Sequence, residues 1–205
     1  MSNTISVSGT GTAAAAPDLV IVELGVEVLG QSVAIARKAA AASMQSVVGS
    51  LRSHGLGDAD LSTTGYSINP EYDHRNGRRL RGYRVATSVK ARITAIEAAG
   101  DVIDDAVAAG GDHSVVSGLR LAHQDESALA TAARAEAWKA ALVKAEQLAG
   151  LAGLVLGPAV SISEQHGHSP GPMPRAMAIE AAGGPPVETG ELSVAVTIQV
   201  DFAIG

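Results

Sequence analysis

Six histidines are the side chains in this sequence best placed to bind a metal or move a proton near neutral pH: His54, His74, His113, His123, His166 and His168. Only His166 and His168 are close in sequence. A His-x-His pair supplies two of the three or four ligands that a zinc site needs on an ordered frame, and this pair lies in a proline- and glycine-rich run, so no metal site is assigned. Cysteine is absent, which removes thiolate ligands, thiol nucleophiles and disulfides. Gly9-Thr-Gly11-Thr-Ala-Ala14 has the spacing of a dinucleotide-binding loop. Such a loop holds pyrophosphate on the amides of a helix that follows it. Here Pro17 and an alternating run follow instead, so the glycines are read as sites of a bulge or of close strand packing.

One basic cluster, His74-Arg-Asn-Gly-Arg-Arg-Leu-Arg81, could meet an anionic partner or help subunits dock. Its plainer reading is a solvated hairpin tip whose charges discourage edge-to-edge aggregation. Asp101, Asp104, Asp105, Glu136 and Glu146, with Arg134, Lys139 and Lys144 nearby, are spaced as solvated helix surfaces. No G-x-S-x-G elbow, phosphate loop or H-E-x-x-H occurs. No catalytic, cofactor-binding or metal-binding residue is therefore assigned, no cofactor is expected, and the chain is expected not to be an enzyme.

The elements that would position any site are clearer than the site. Leu192, Val194, Val196, Ile198, Val200, Phe202 and Ile204 alternate with polar or small residues. A period of two predicts a strand with one buried face. Val20, Val22, Leu24, Val26 and Val28 repeat the pattern over a predicted strand at 19–29, preceded by a strand at 5–9 and a small-residue connection at 11–18. Ser32 caps a helix running to about His54, stopped by Gly55 and Gly57, with Val33, Ala36, Ala40, Met44, Val47, Val48 and Leu51 on its buried stripe. Strands at 61–73 and 82–94 flank a turn at Asn76-Gly77. A second helix over 95–109 and a strand over 115–123 follow. A third helix over 126–149 carries a stripe of Ala135, Trp138, Leu142, Ala145 and Ala149, and a short strand over 160–164 precedes a flexible Pro/Gly-rich loop at 166–190. The order ββαββαβαββ predicts an α+β fold, a two-layer arrangement of mainly antiparallel sheet with three helices. At 205 residues it is either one domain or two lobes meeting near residues 78–84.

Composition narrows the partners. There is one Phe and one Trp, and the net charge is −6. Base-stacking platforms and polyanion binding by the whole molecule are thereby disfavoured, so no nucleic-acid partner is expected. No run approaches the ~18 apolar residues of a membrane-spanning helix. The first residues lack a basic and apolar leader, so the expectation is a cytoplasmic protein, with a periplasmic or secreted location as the alternative had a leader been removed.

Several stretches together are similar to the SIMPL-domain family. They are Ile5-Ser-Val-Ser-Gly-Thr-Gly11, Ala16-Pro-Asp-Leu-Val-Ile-Val-Glu-Leu-Gly-Val26, Gly55-Leu-Gly-Asp-Ala-Asp-Leu-Ser-Thr-Thr64, Asn69-Pro-Glu-Tyr72 and Gly82-Tyr-Arg-Val85. Ala132-Ala-Arg134, Lys144-Ala145 and the final alternating strand extend the match over nearly the whole chain. Each motif alone is weak; their order and spacing are specific. The resemblance implies an α+β fold, no established enzymatic activity and no catalytic residues to transfer. It also implies a tendency of bacterial members toward large ring-like or channel-like oligomers, with envelope or oxidative-stress association. The 166–190 segment is longer than the family pattern requires. The expected function is that of a self-assembling protein acting through homo-oligomerisation and partner-binding surfaces. The alternative is a small-molecule binding protein or hydrolase with a pocket between the lobes.

Overall fold

The computed structural model describes residues 3–73, 79–165 and 190–205. The elements are β1 (Thr4–Ala15), β2 (Leu19–Gly30), α1 (Val33–Ser53), β3 (Leu61–Asp73), β4 (Arg79–Ile93), α2 (Ala99–Gly110), β5 (Ser114–Ala122), α3 (Ser127–Ala152), β6 (Leu156–Gln165) and β7 (Leu192–Ile204). The order is the ββαββαβαββ read from the sequence, and the fold is α+β with two antiparallel sheets. The elements form two compact units. One gathers β1, α3, β6 and β7; the other is the continuous stretch from Asp18 to Ala122. The chain leaves the first unit after Pro17 and re-enters it at His123, while residues 79–84 lie within β4. The predicted turn at Asn76-Gly77 and nearly all of the loop predicted at 166–190 lie outside the described residues.

In the first unit the sheet runs β1-β7-β6, so the last strand is central. Val194, Val196, Ile198, Val200 and Phe202 are buried, as the alternation predicts, and Gln199 is exposed. β1 extends to Ala15, where a connection from residue 11 was expected. The correction comes from pairing: Gly11 lies opposite Val196 and Ala15 opposite Leu192, in one ladder without a register shift. Small residues have weak strand preference of their own, and here a strong neighbouring strand imposes the conformation.

The third helix was also misread in part. Its buried stripe is Ala133, Ala137, Ala141, Ala145 and Ala149; Ala135 is exposed, and Trp138 and Leu142 are half-buried on the flank. In a helix so rich in alanine, hydrophobic spacing does not distinguish the faces. The partner surface does. Gly9 and Gly11 face α3 so closely that a Cβ on Gly9 would lie 2.0 Å from the Ala137 carbonyl oxygen, and one on Gly11 would lie 2.2 Å from that of Ala133. Of the two readings offered for these glycines, close packing is what the structure shows, and the packed neighbour is a helix.

The second unit has strand order β3-β4-β2-β5. Its core is built from larger side chains: Val20, Val22, Leu24, Val26, Val85 and Val89 from the sheet meet Val47, Leu51, Val102 and Ala106 from α1 and α2. The central strand departs from strict alternation, because Ile21 and Gly25 on the other face are buried as well. Ser32 caps α1 by accepting from the Ile35 amide at 3.3 Å, and Gly55 continues from its end with φ +88°, a conformation glycine adopts without a Cβ penalty. Val33, placed on the buried stripe by spacing, is exposed because it occupies the first turn. The second helix starts at Ala99 after a 3-10 turn at Ile96–Ala98.

Candidate functional site

The residues that could do chemistry are dispersed. His54 meets Asp105 at 2.8 Å, joining the end of α1 to α2. His123 lies 3.5 Å from the Leu192 carbonyl, and His113 is exposed after α2. His74, His166 and His168 lie outside the described residues. Asp101 and Asp104 are solvent-facing on α2. Glu136 pairs with Lys139 at 2.8 Å, Arg134 with Glu164 of β6 at 2.8 Å, and Lys144 donates to the Ser8 carbonyl at 2.7 Å. Glu164 holds the Arg134 guanidinium above its ordinary pKa by hydrogen bond and charge. At the start of α3 the Ser127 amide and hydroxyl both donate to Asp125, each at 2.8 Å, and these bonds hold its carboxyl below the usual range. This is helix-end and surface chemistry. Among the described residues no three His, Cys, Asp or Glu side chains converge as a metal would require.

Of the basic cluster, Arg79 and Arg81 are described. Both are exposed on β4, and Arg81 reaches Glu71 at 3.5 Å. The stronger contact belongs to Arg84, which bridges Glu27 of β2 and Glu71 of β3. Farther along the same sheet, Thr64 donates to Glu23 at 2.7 Å and shares a hydrogen bond with Ser88 at 2.9 Å. Sequence reasoning passed over this polar network. Its signal was the polar half of the β2 alternation, Glu23 and Glu27, which becomes meaningful only when β4 and β3 are known to lie alongside.

Two surface features stand out. In the second unit an open groove of about 860 Å³ runs along α1 from Ala34 to Arg52, with Tyr66 and Thr87 of β3 and β4 as its other wall. It exists because α1 and α2 pack over β2, β4 and β5, leaving β3 outside the cover; every residue of β3 is exposed or half-buried. In the first unit seven large apolar side chains are exposed between residues 143 and 162: Val143, Leu148, Leu151, Leu154, Val155, Val160 and Ile162. Three lie in α3, two in the turn after it and two on β6, which is an edge strand.

The fold and its surfaces thus define an α+β protein of two sheet-and-helix units whose described residues offer grooves and apolar surface, with no convergent set of reactive groups. The profile of the SIMPL family, described as "Protein of unknown function (DUF541)", matches residues 5–202, and the chain belongs to that family. The 26 kDa periplasmic immunogenic protein of Brucella melitensis biotype 1 is 32% identical over 213 residues, covering 98% of this chain and 84% of that protein. The protein of the same name from Brucella abortus (strain S19) matches over the same extent. The uncharacterized protein YggE of Edwardsiella ictaluri is 25% identical over 157 residues, 76% of this chain and 65% of that protein.

These relatives correct the cytoplasmic expectation, since two of them are named for the periplasm. That expectation rested on the opening residues alone, and where a sequence begins does not report where its fold works. No helix among the described residues is long and apolar enough to cross a membrane.

Proposed function

We propose that this SIMPL protein is a non-enzymatic protein of the bacterial periplasm that assembles with copies of itself and binds partners through exposed apolar surface. The observation that carries this reading is the concentration of seven exposed apolar side chains in residues 143–162. Contiguous apolar surface on a folded protein marks an interaction site. β6 adds an unpaired strand edge with Val160 and Ile162 about 60% exposed, and such an edge is a template for pairing with another chain. Register shifts near Leu156 and Ala159 irregularise one end of this strand, while Ser161 to Gln165 pair regularly with β7. The names of the Brucella relatives support the compartment.

Native mass spectrometry of the purified protein tests the assembly. A discrete oligomer is expected, and Val160→Lys with Ile162→Lys should reduce its subunit number without unfolding the chain, because exposed substitutions cost about 0.5 kcal/mol or less. A wild-type protein that stays monomeric at micromolar concentration would refute the reading. Release from cells by osmotic shock checks the compartment; retention with cytoplasmic markers would count against it. Turnover that copurifies with the protein and vanishes with one substitution would end the non-enzymatic part.

A further inference from the structure

The groove beside α1 belongs to the second unit and residues 143–162 to the first, and its chemistry is different. Its floor is small and apolar, with Ala40, Ala41, Met44 and Val48 presented by α1. Its length follows from the helix: Ala34 to Arg52 is about 27 Å at ~1.5 Å per residue. Cations stand toward both ends. Arg52 is answered by Asp58 at 2.7 Å, whereas Arg37 and Lys38, one turn into the helix, have no ion-pair partner among the described residues. Two like charges adjacent in sequence and unanswered on one rim repel each other and are stabilised by an anion placed between them.

We propose that this groove binds a single-chain anionic amphiphile, a long-chain fatty acid, with its tail along α1 and its carboxylate at Arg37 and Lys38. The rim selects the occupant: a fatty acid brings one anionic head for the unanswered cations and one apolar tail for the floor of Ala40, Ala41, Met44 and Val48. The groove's volume lies within the ~300–1,000 Å³ of pockets that hold small molecules. The apolar floor matches an alkyl tail, which gains ~0.8 kcal/mol per buried CH2. The asymmetry of the rim sets its direction, because the carboxylate gains most at the cations lacking a partner. Tyr66, 59% exposed on the sheet wall, packs its ring along the tail and keeps its hydroxyl toward water.

Calorimetric titration of the delipidated full chain with oleate, below its aggregation concentration, tests the proposal, with oleyl alcohol as the uncharged probe. One saturable site per chain is expected for oleate. Arg37→Ser with Lys38→Ser should weaken oleate at least about tenfold, the worth of a charge-assisted contact, and should leave oleyl alcohol unchanged. Ala41→Trp, at an exposed position of the groove, fills the floor and should abolish binding of both probes. Melting curves report whether each variant folds; should Ala41→Trp fail, the charge dependence of the double variant decides. No saturable oleate binding, or binding indifferent to both variants, would overturn the proposal. So would binding to anionic phospholipid vesicles without binding to monomeric oleate, which would make the cations a membrane-facing patch.

Discussion

Where α3 meets β1, alanine lies on glycine; in the core that α1 shares with β2, Val47 and Leu51 join Ala36 and Ala40 beside the valines and leucine of the strand. Both contacts seat a helix on an antiparallel sheet, but they hold it by different means. In the first unit the backbones approach almost to contact, and the seat is defined by what the glycines leave out. In the second, larger side chains interdigitate, and the seat is defined by what they fill. The difference extends to the surface. A helix that presents its alanines inward places its larger apolar residues elsewhere, and Val143, Leu148 and Leu151 face solvent. Both units leave large apolar side chains outside: in the first they concentrate in residues 143–162, whereas in the second they are spread from Leu29 to Leu119 and a groove with cations at its rim lies among them.

The contrast is broken most severely by adding a side chain at the close contact. Gly11→Val places a Cβ 2.2 Å from the Ala133 oxygen and 2.3 Å from the Ala137 amide nitrogen. Backbone atoms there have nowhere to go, so α3 must lift, at an expected cost of about 4 kcal/mol or more. Trp138, the single tryptophan, has its ring 5.8 Å from that of Phe202 and reports the event: its emission should shift to longer wavelength in native buffer. A wild-type spectrum with a wild-type melt would show that the glycines are not needed for the seat.

Leu51→Ala makes the opposite test in the second unit. Leu51 is fully buried, so its removal leaves a cavity and should cost about 3 kcal/mol in denaturant unfolding. A loss below about 1 kcal/mol would mean that the second core closes up as readily as an alanine interface.

The smallest effect should have the opposite sign. Gly150 lies in the last turn of α3 with nothing within 4 Å of a built Cβ. Gly150→Ala should stabilise the protein by about 0.5–1 kcal/mol through helix propensity and a less flexible unfolded chain. Together with Gly11 it tests whether glycine in this unit matters through contact or through chain flexibility. A destabilised Gly150→Ala protein, read in the same unfolding experiment, would exclude the simple division drawn between the two positions.

Much of this organisation was legible without coordinates. The alternation of β7 was correct in detail, from Val194 to Phe202, since a period of two needs only one buried face to show itself. Ser32 and Gly55 marked the ends of α1 because capping is a matter of adjacent residues. Legibility failed at Gly11 to Ala15 and at Ala135, where side chains of nearly equal size carry no contrast between faces. The exposed run at 143–162 and the groove beside α1 were missed for another reason. Both depend on what an element lacks as a neighbour, and a pattern along one segment does not record its neighbours.

Local chemistry in the sequence was enough to determine the kinds of element, their order and most of their buried faces, because these follow from periodicity, caps and glycine stops within a few residues. Only the tertiary structure decided that β1 pairs with β7 across nearly the full length of the chain, that β2 lies between β4 and β5, and that Gly9 and Gly11 select which alanines of α3 are buried. Those choices are contacts between distant segments. Their energies come from surfaces that exist only once both partners are formed and brought together.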